Sequence, residues 1–574
     1  MSSSRGIRSA NRGYVTSLTL GGFQVFDEPT TIPLGRLTFL FGPNSAGKSA
    51  VEDGLALLCD ALRIHAELGS KESGRWDWDH QLLWRYWRRI NGSTDAFAPT
   101  LTLGLTATLE MAVAGSLAGF ASASLEGPGN GGVEVGARFR LSLNDNGSDP
   151  YAMVGRQMFI LALDGQDILR IDDSRELAID FSHPVLCHFK TSSDFAALAN
   201  EFPELIHFDN GWVAVHSMAS DYSLSNKDTR FWVGTLELPD GGILGGHAEL
   251  QLHEKVAPRL EPALGELLEF AYNLLQISLC NIVIRQRAAV ASRNIPSVES
   301  LTYFLNPTDS IVGLTDSSDP TYRELAESFF SKSLGERSRP NCAGLDIDRA
   351  REVMAGWQDS IRRLSSDGPN LVDNVNRALS DHLFIERGYQ VSGDVRLLVE
   401  LARFASLAQA AHSSAGDFPA LVQLYLVDTA GRRHSFEDVG SGLGYVLPVL
   451  CAVWVSEESI AIIQQPELHL HPALQAAIGD VFIESAASSH QIIVETHSEH
   501  LLLRILRRIR QTSNGVQADE ALCVRPDDVV VVYFDPRSDG TTAVKRLRIS
   551  EDGDFLDRWP RGFFTERDEE LFDE

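Results

Sequence analysis

Apolar residues along this chain recur with two periods, and the places where the period changes divide it into elements. Between residues 14 and 41 the pattern predicts two or three strands. Leu18-Thr19-Leu20 alternates, Gly21-Gly22 breaks it, and Thr31-Ile32-Pro33-Leu34 leads on. Arg36-Leu37-Thr38-Phe39-Leu40-Phe41 is a short apolar run that predicts a buried strand. Val51, Leu55, Leu58 and Leu62 then recur at helical spacing. Residues 98–255 are β-rich, as in Leu101-Thr102-Leu103-Gly104-Leu105, Ala137-Arg138-Phe139-Arg140-Leu141 and Arg230–Leu236. Residues 256–390 turn helical, with an apolar stripe through Leu264, Leu267, Leu268, Ala271, Leu274 and Leu275. From residue 391 the pattern returns to strands, then to strands alternating with helices: Leu421–Val427, Ile460–Ile463, Gln491–Val494 and Val529–Phe534 are the strand candidates. This alternation predicts an α/β fold with a parallel sheet. The expected domains are 1–64 and 391–574, two parts of one core, with a β-rich 65–255 and a helical 256–390 inserted between them.

The first change of period holds the most specific chemistry. Gly42-Pro43-Asn44-Ser45-Ala46-Gly47-Lys48-Ser49 matches G-x-x-x-x-G-K-[ST] and lies between a predicted strand and a predicted helix. The glycines let backbone N–H groups turn toward a triphosphate, and the helix N-terminus adds partial positive charge. Lys48 can reach β- and γ-phosphates, and the Ser49 hydroxyl can ligate Mg²⁺. Nucleotide binding follows, with ATP and Mg²⁺ as the expected cofactors. Gly127-Pro128-Gly129-Asn130-Gly131-Gly132 is glycine-rich too, but it lacks the lysine and the strand–helix setting, so it reads as a loop.

Composition limits the alternatives. The 574 residues are 44% hydrophobic and 22% charged, enough for two to four domains with a large core. The net charge of −28 gives no overall attraction for nucleic acid, so any DNA contact would run through a local basic patch or a partner. Six scattered cysteines without a C-x-x-C argue against zinc ribbons and disulfide scaffolds, and fit a reducing cytoplasm. No apolar run reaches membrane-spanning length, so no membrane domain is expected.

Other clusters each have a functional and a structural reading. Trp76, Trp78, Trp84 and Trp87 alternate with Arg75, Arg85, Arg88 and Arg89. An amphipathic helix with its tryptophans inward is favoured over a nucleic-acid or protein contact. Phe23 and Phe26 are read as core rather than adenine-stacking. Arg504, Arg507 and Arg508 share a helix face that suits DNA phosphates or an acidic partner, with a solvated charged face as the ordinary explanation. His469, His471, His497 and His500 would form a zinc site only if their two clusters converged.

Three predicted strand ends carry polar residues: the phosphate loop, Gln464-Gln465 and Thr496-His497. Ligands of parallel sheets sit at such ends. Together with Ser441-Gly442, Gln464–Pro472 and Glu495–His500, in this order, the motifs resemble the ABC-type ATPase heads without membrane parts, including SMC-like and OLD-like ATPases. They are most similar to AAA-family ATPases of bacterial anti-phage defence operons, Septu-type ATPases among them. The likeness covers about 1–65 and 385–574. It implies that Gly42, Asn44, Ser45, Ala46, Gly47, Lys48 and Ser49 hold phosphates and Mg²⁺. It further implies that Ser441 and Gly442 meet the γ-phosphate of an opposite subunit, that Leu470-His471-Pro472 lies at the dimer seam, and that His497 senses the γ-phosphate. A homodimer, or a higher even-numbered oligomer, closed by an ATP sandwich follows. So does a regulatory role toward a partner effector nuclease. The alternative is an SMC- or RecF-like DNA-repair ATPase that binds DNA directly.

One departure from that family bears on rate. Its second strand ends in acidic residues, of which one holds Mg²⁺ through water and the next activates the attacking water; this chain has Gln464 and Gln465. An amide is a poor proton acceptor, and Mg²⁺ prefers a carboxylate. Binding with slow hydrolysis is expected, with Glu467 or Glu495 as partial substitutes.

Overall fold

A computed structural model describes residues 14–68, 83, 85–88, 98–108, 134–143, 154–172, 176–180, 206–209, 212–216, 230–232, 249–251, 287–290, 302–305, 312–313, 371–397, 420–434, 439, 441–454, 460–488, 490–517 and 519–559. The chain divides into two compact units. One comprises Arg8–Arg285, Pro526–Ser550 and Phe555–Glu574; the other comprises Met1–Ile7, Gln286–Arg525 and Glu551–Asp554.

In the first unit β1 (Val15–Gly21) and β2 (Thr30–Pro33) pair antiparallel, β3 (Leu37–Phe41) is buried throughout, and α1 spans Ser49–Leu68. β4 (Thr100–Thr108), β5 (Glu134–Leu143), β6 (Val154–Leu163), β7 (Gln166–Asp172), β8 (Glu176–Asp180), β9 (Ile206–Asp209) and β10 (Trp212–His216) extend the sheet begun by β1 and β2. Its order is β2-β1-β4-β5-β6-β7-β8-β10-β9. The register is set by apolar pairs that share a face, Leu20 opposite Leu103, Leu103 opposite Phe139 and Phe139 opposite Phe159. The Phe139 and Phe159 rings lie 5.2 Å apart. β11 (Arg230–Trp232) and β12 (Glu249–Gln251) form a separate ribbon, and the rest of the expected strand to Leu236 lies outside the described residues.

The second unit begins with β13 (Arg287–Val290), β14 (Thr302–Leu305) and β15 (Val312–Gly313). β13 and β14 are strands where the sequence predicted helix. Thr302-Tyr303-Phe304-Leu305 is β-branched and aromatic, and its pairing with Ala420–Gln423 outweighs the helical periodicity read earlier in the chain. The Leu264–Leu275 stripe lies outside the described residues. α2 (Leu371–Arg377) runs into a π-helical turn over Ala378–Leu383. β16 (Gln390–Leu397), β17 (Ala420–Val427) and β18 (Arg433–His434) complete an antiparallel sheet with β14 and β15. α3 (Ser441–Trp454) buries Leu443, Val446, Leu447 and Leu450 at helical spacing. β19 (Ile460–Gln464), α4 (Pro472–Ala487), β20 (Gln491–Glu495) and α5 (Glu499–Ser513) then alternate. β13, β19 and β20 are parallel neighbours. The expected α/β class is thus what is found.

The chain returns to the first unit with β21 (Val529–Pro536), parallel to β3, and β22 (Thr542–Leu547), antiparallel to β21. Trp559 meets Phe555, Phe41 and Tyr533 edge-on, at ring separations of 4.9, 5.5 and 6.4 Å. Among the described residues, no helix is long and apolar enough to cross a membrane.

Candidate functional site

The candidate residues fall into two groups, one in each unit. In the first unit β3 delivers the chain into the phosphate loop, and α1 starts at Ser49. Gly42, Ser45 and Gly47 have φ of 143°, 63° and 94°, so the loop turns through left-handed backbone. Close neighbours add a second demand for glycine. A Cβ on Gly42 would stand 2.6 Å from the Phe534 carbonyl oxygen, and one on Gly47 would stand 2.3 Å from Val25 Cγ2. Lys48 is buried, and its Nζ donates to the Gly42 and Pro43 carbonyls at 2.9 and 3.0 Å. Asn44, Ser45 and Ser49 are exposed, while Ala46 is buried.

This donor set fits a magnesium-bound triphosphate. The Lys48 ammonium is held by the loop's own carbonyls, contacts that stronger charge-assisted bonds to phosphate can replace. Ser49 stands exposed at the N-terminal end of a 20-residue helix. Phe23 and Phe26 are core residues, buried to 0% and 1% exposure. Trp87 is buried as well, but it pairs with Phe23 as a bridge rather than lying on a helix face, and its Nε1–H donates to the Ala98 carbonyl. Trp76, Trp78 and Trp84 lie outside the described residues.

In the second unit the ends of β19 and β20 are joined by a small polar network. The Gln465 N–H donates to the Glu495 carbonyl at 2.7 Å, with Gln465 in the left-handed region at φ 48°. The chain then turns through Pro466–His469 to α4, where His471 Nδ1 accepts from the Ala473 N–H as the N-cap. The Glu467 carboxylate accepts from the His497 N–H at 2.7 Å and from Thr496 Oγ1 at 2.8 Å. Ser498 caps α5 through Leu501 N–H, and its hydroxyl donates to Gln475 Oε1. The Gln475 amide donates to the Leu470 carbonyl at 3.0 Å.

The sequence offers Glu467 as a partial substitute for the missing acidic residues. It is the half-buried tie between the turn after β19 and the turn after β20. Burial raises its pKa, and the bonds from His497 and Thr496 only partly offset this. Ser441 opens α3, and a Cβ on Gly442 would lie 3.3 Å from the His469 carbonyl oxygen. Gly442, the 466–469 turn, Glu467 and His497 are therefore gathered in one place. Thr496 and Ser498 fall in the strand-end motif read from the sequence, whereas Gln475, inside α4, carries no such signal.

The arginine face on α5 is also reassigned. Arg504 and Arg508 pair with Asp480, which is 3% exposed on α4. Arg508 makes two bonds to it at 2.7 and 2.8 Å. The buried carboxylate supplies the reason for both arginines, leaving Arg507 exposed. Among the described residues, no group of three or more His, Cys, Asp or Glu side chains is arranged to hold a metal ion.

Fold and loop geometry together define an α/β protein with a phosphate loop at the start of a helix. A family model described as an AAA domain, putative AbiEii toxin, type IV TA system, matches residues 296–504, well under half of the chain. That span holds Ser441, Gln464–Glu467 and His497 but not the phosphate loop. No curated protein matches. Among solved structures the chain is similar to an Smc head bound to the C-terminal winged-helix domain of ScpA. That pair has 11% identity and a TM-score of 0.39, over 93% of this chain and 98% of the other. An Smc head with an extended coiled coil from Pyrococcus furiosus, bound to the C-terminal domain of ScpA, gives 12%, 0.36, 93% and 96% for the same quantities. The Thermotoga maritima SMC head domain gives 10%, 0.32, 93% and 99%. Likeness this weak establishes neither activity nor partners.

Proposed function

We propose that this chain is an ATP-binding, ABC-type dimerising ATPase with slow hydrolysis, acting as the regulatory subunit of a bacterial anti-phage defence complex with a partner effector nuclease. The observation that carries the ATP reading is the phosphate loop itself. Its left-handed glycines, buried Lys48 and exposed Ser49 at the start of α1 form a cradle for a polyphosphate. In it Lys48 and the loop amides would hold phosphate oxygens, and Ser49 would hold Mg²⁺, which neutralises phosphate charge when bound.

The slow step follows from Gln464 and Gln465. Neither side chain can take a proton from water at neutral pH, so the residues at the end of β19 orient rather than deprotonate. His497 and Glu467 lie beside them in the same network. Dimerisation rests on Ser441 and Gly442 at the start of α3, adjoining the 466–469 turn. ATP then shifts the population toward a closed dimer only to the extent that it binds that form better. A matched family described by a toxin–antitoxin system supports a chain that works with a partner. On the α5 face, Arg504 and Arg508 are committed to Asp480, which leaves Arg507 there for the direct DNA contact of the DNA-repair alternative.

The test is ATP binding and mass in solution with and without ATP, for the native chain and Lys48→Ala. Binding and dimerisation that disappear in Lys48→Ala support the reading. Unchanged binding in that variant would refute the site. Purification with native partners attached then decides between a nuclease subunit and none.

A further inference from the structure

The phosphate loop has a support that its motif does not contain. Thr542, at the start of β22, is 6% exposed, and its hydroxyl donates to the Ala46 carbonyl at 2.9 Å. Its backbone N–H donates to the Val25 carbonyl at 3.2 Å. Val25 is the residue whose Cγ2 walls Gly47, and Phe534, on the paired strand β21, walls Gly42. The hairpin thus walls Gly42 directly, holds Val25 where it walls Gly47, and ties the peptide between Ala46 and Gly47.

The direction of that peptide matters. In a trans peptide the C=O and the following N–H point opposite ways. Turning the Ala46 carbonyl onto Thr542 therefore turns the Gly47 N–H away from the hairpin. Phosphate loops hold their ligand through such N–H groups, and these are most effective when they need no reorganisation on binding. A methyl in place of the hydroxyl would leave the Ala46 carbonyl without this donor and let the peptide rotate.

We infer that Thr542 is a positioning residue of the nucleotide site, orienting the Ala46–Gly47 peptide for a phosphate oxygen. The inference rests on the ATP reading above. It extends the site to a residue remote in sequence that touches no ligand.

The experiment compares the full chain with Thr542→Val, Thr542→Ala and Thr542→Ser. The readouts are equilibrium binding of a fluorescent ATP analogue with Mg²⁺ and melting without nucleotide. One lost hydrogen bond predicts affinity about five- to tenfold weaker for Val and Ala, with near-native affinity restored by Ser. Rescue by Ser would not be expected if the side chain merely filled space. Should Val fail to fold, Ala and Ser carry the comparison. Native affinity in folded Val or Ala, or Ser as weak as Ala, would overturn the inference and leave the ATP reading standing. A folded native chain that binds no ATP analogue would overturn both.

Discussion

Glu467 and His497 are joined by a 2.7 Å bond from the backbone N–H of one to the carboxylate of the other, across two strand ends about 30 residues apart. Thr496 adds a second bond to the same carboxylate. Replacing Glu467 by alanine would orphan both donors. An expected loss of about 2–4 kcal/mol would be read by urea denaturation. Glu467→Gln keeps one acceptor and should lose roughly half as much. Equal losses in the two variants would mean that the paired bonds are not what stabilises the turn.

The raised pKa of Glu467 gives that network a pH dependence. A carboxyl with a higher pKa folded than unfolded binds its proton more tightly in the fold. Its stabilising contribution is complete below the unfolded value, near 4.5, and is lost as pH rises through the folded one. Glu467→Gln cannot titrate. The stability difference between native chain and variant should therefore shift toward the native chain as pH falls toward 4.5. A difference independent of pH would contradict the burial seen here.

His490 predicts the opposite slope. Burial takes its pKa down from 6.5 to about 4, and its ring packs edge-on against Trp454 at 5.8 Å. A base harder to protonate when folded stabilises above its unfolded pKa and loses that contribution as pH falls from 6.5 toward 4. The loss is on the order of 3 kcal/mol at full extent. Denaturation of His490→Leu across that range should be flatter than that of the native chain. Parallel curves would exclude His490 as the source.

The local chemistry of both groups was legible in the sequence to very different depths. The phosphate loop carries its own signal, because glycines, lysine and serine act within eight consecutive residues. Asp480 illustrates the opposite case. Nothing about an aspartate amid Ile478 and Val481 announces that Arg504 and Arg508 will turn inward to it, and the arginine spacing alone suits an outside anion or solvent. Thr542 was invisible for the same reason, since its partner Ala46 is remote in sequence. Strand periods were readable where pairs are apolar, as at Leu103 and Phe139. They failed at Thr302–Leu305, where a short run depends on its partner strand.

Asp480 also yields a prediction. Its carboxylate is nearly inaccessible and serves two guanidinium groups. Asp480→Asn leaves those two cations with one neutral acceptor, and a loss of about 3 kcal/mol or more is expected. Arg507→Glu, on the exposed side of α5, should stay within about 0.5 kcal/mol of native. Denaturation midpoints of the pair separate a buried ion network from a solvated face.

The last prediction concerns turnover. Position 465 is constrained, since its backbone lies at φ 48° and its N–H is engaged by the Glu495 carbonyl. Glu is nearly isosteric with Gln and enters that backbone without a β-branch, so Gln465→Glu should fold. It would add the proton acceptor that the native amide lacks. General-base catalysis contributes about 10²–10⁴-fold where a base is correctly placed. Phosphate release by Gln465→Glu, alone and with Gln464→Asp, should therefore exceed that of the native chain by at least about tenfold, while ATP affinity stays within a few-fold. Equal rates would show that proton abstraction at this position does not limit hydrolysis. Fast release by the native chain would remove the premise that the two glutamines slow it.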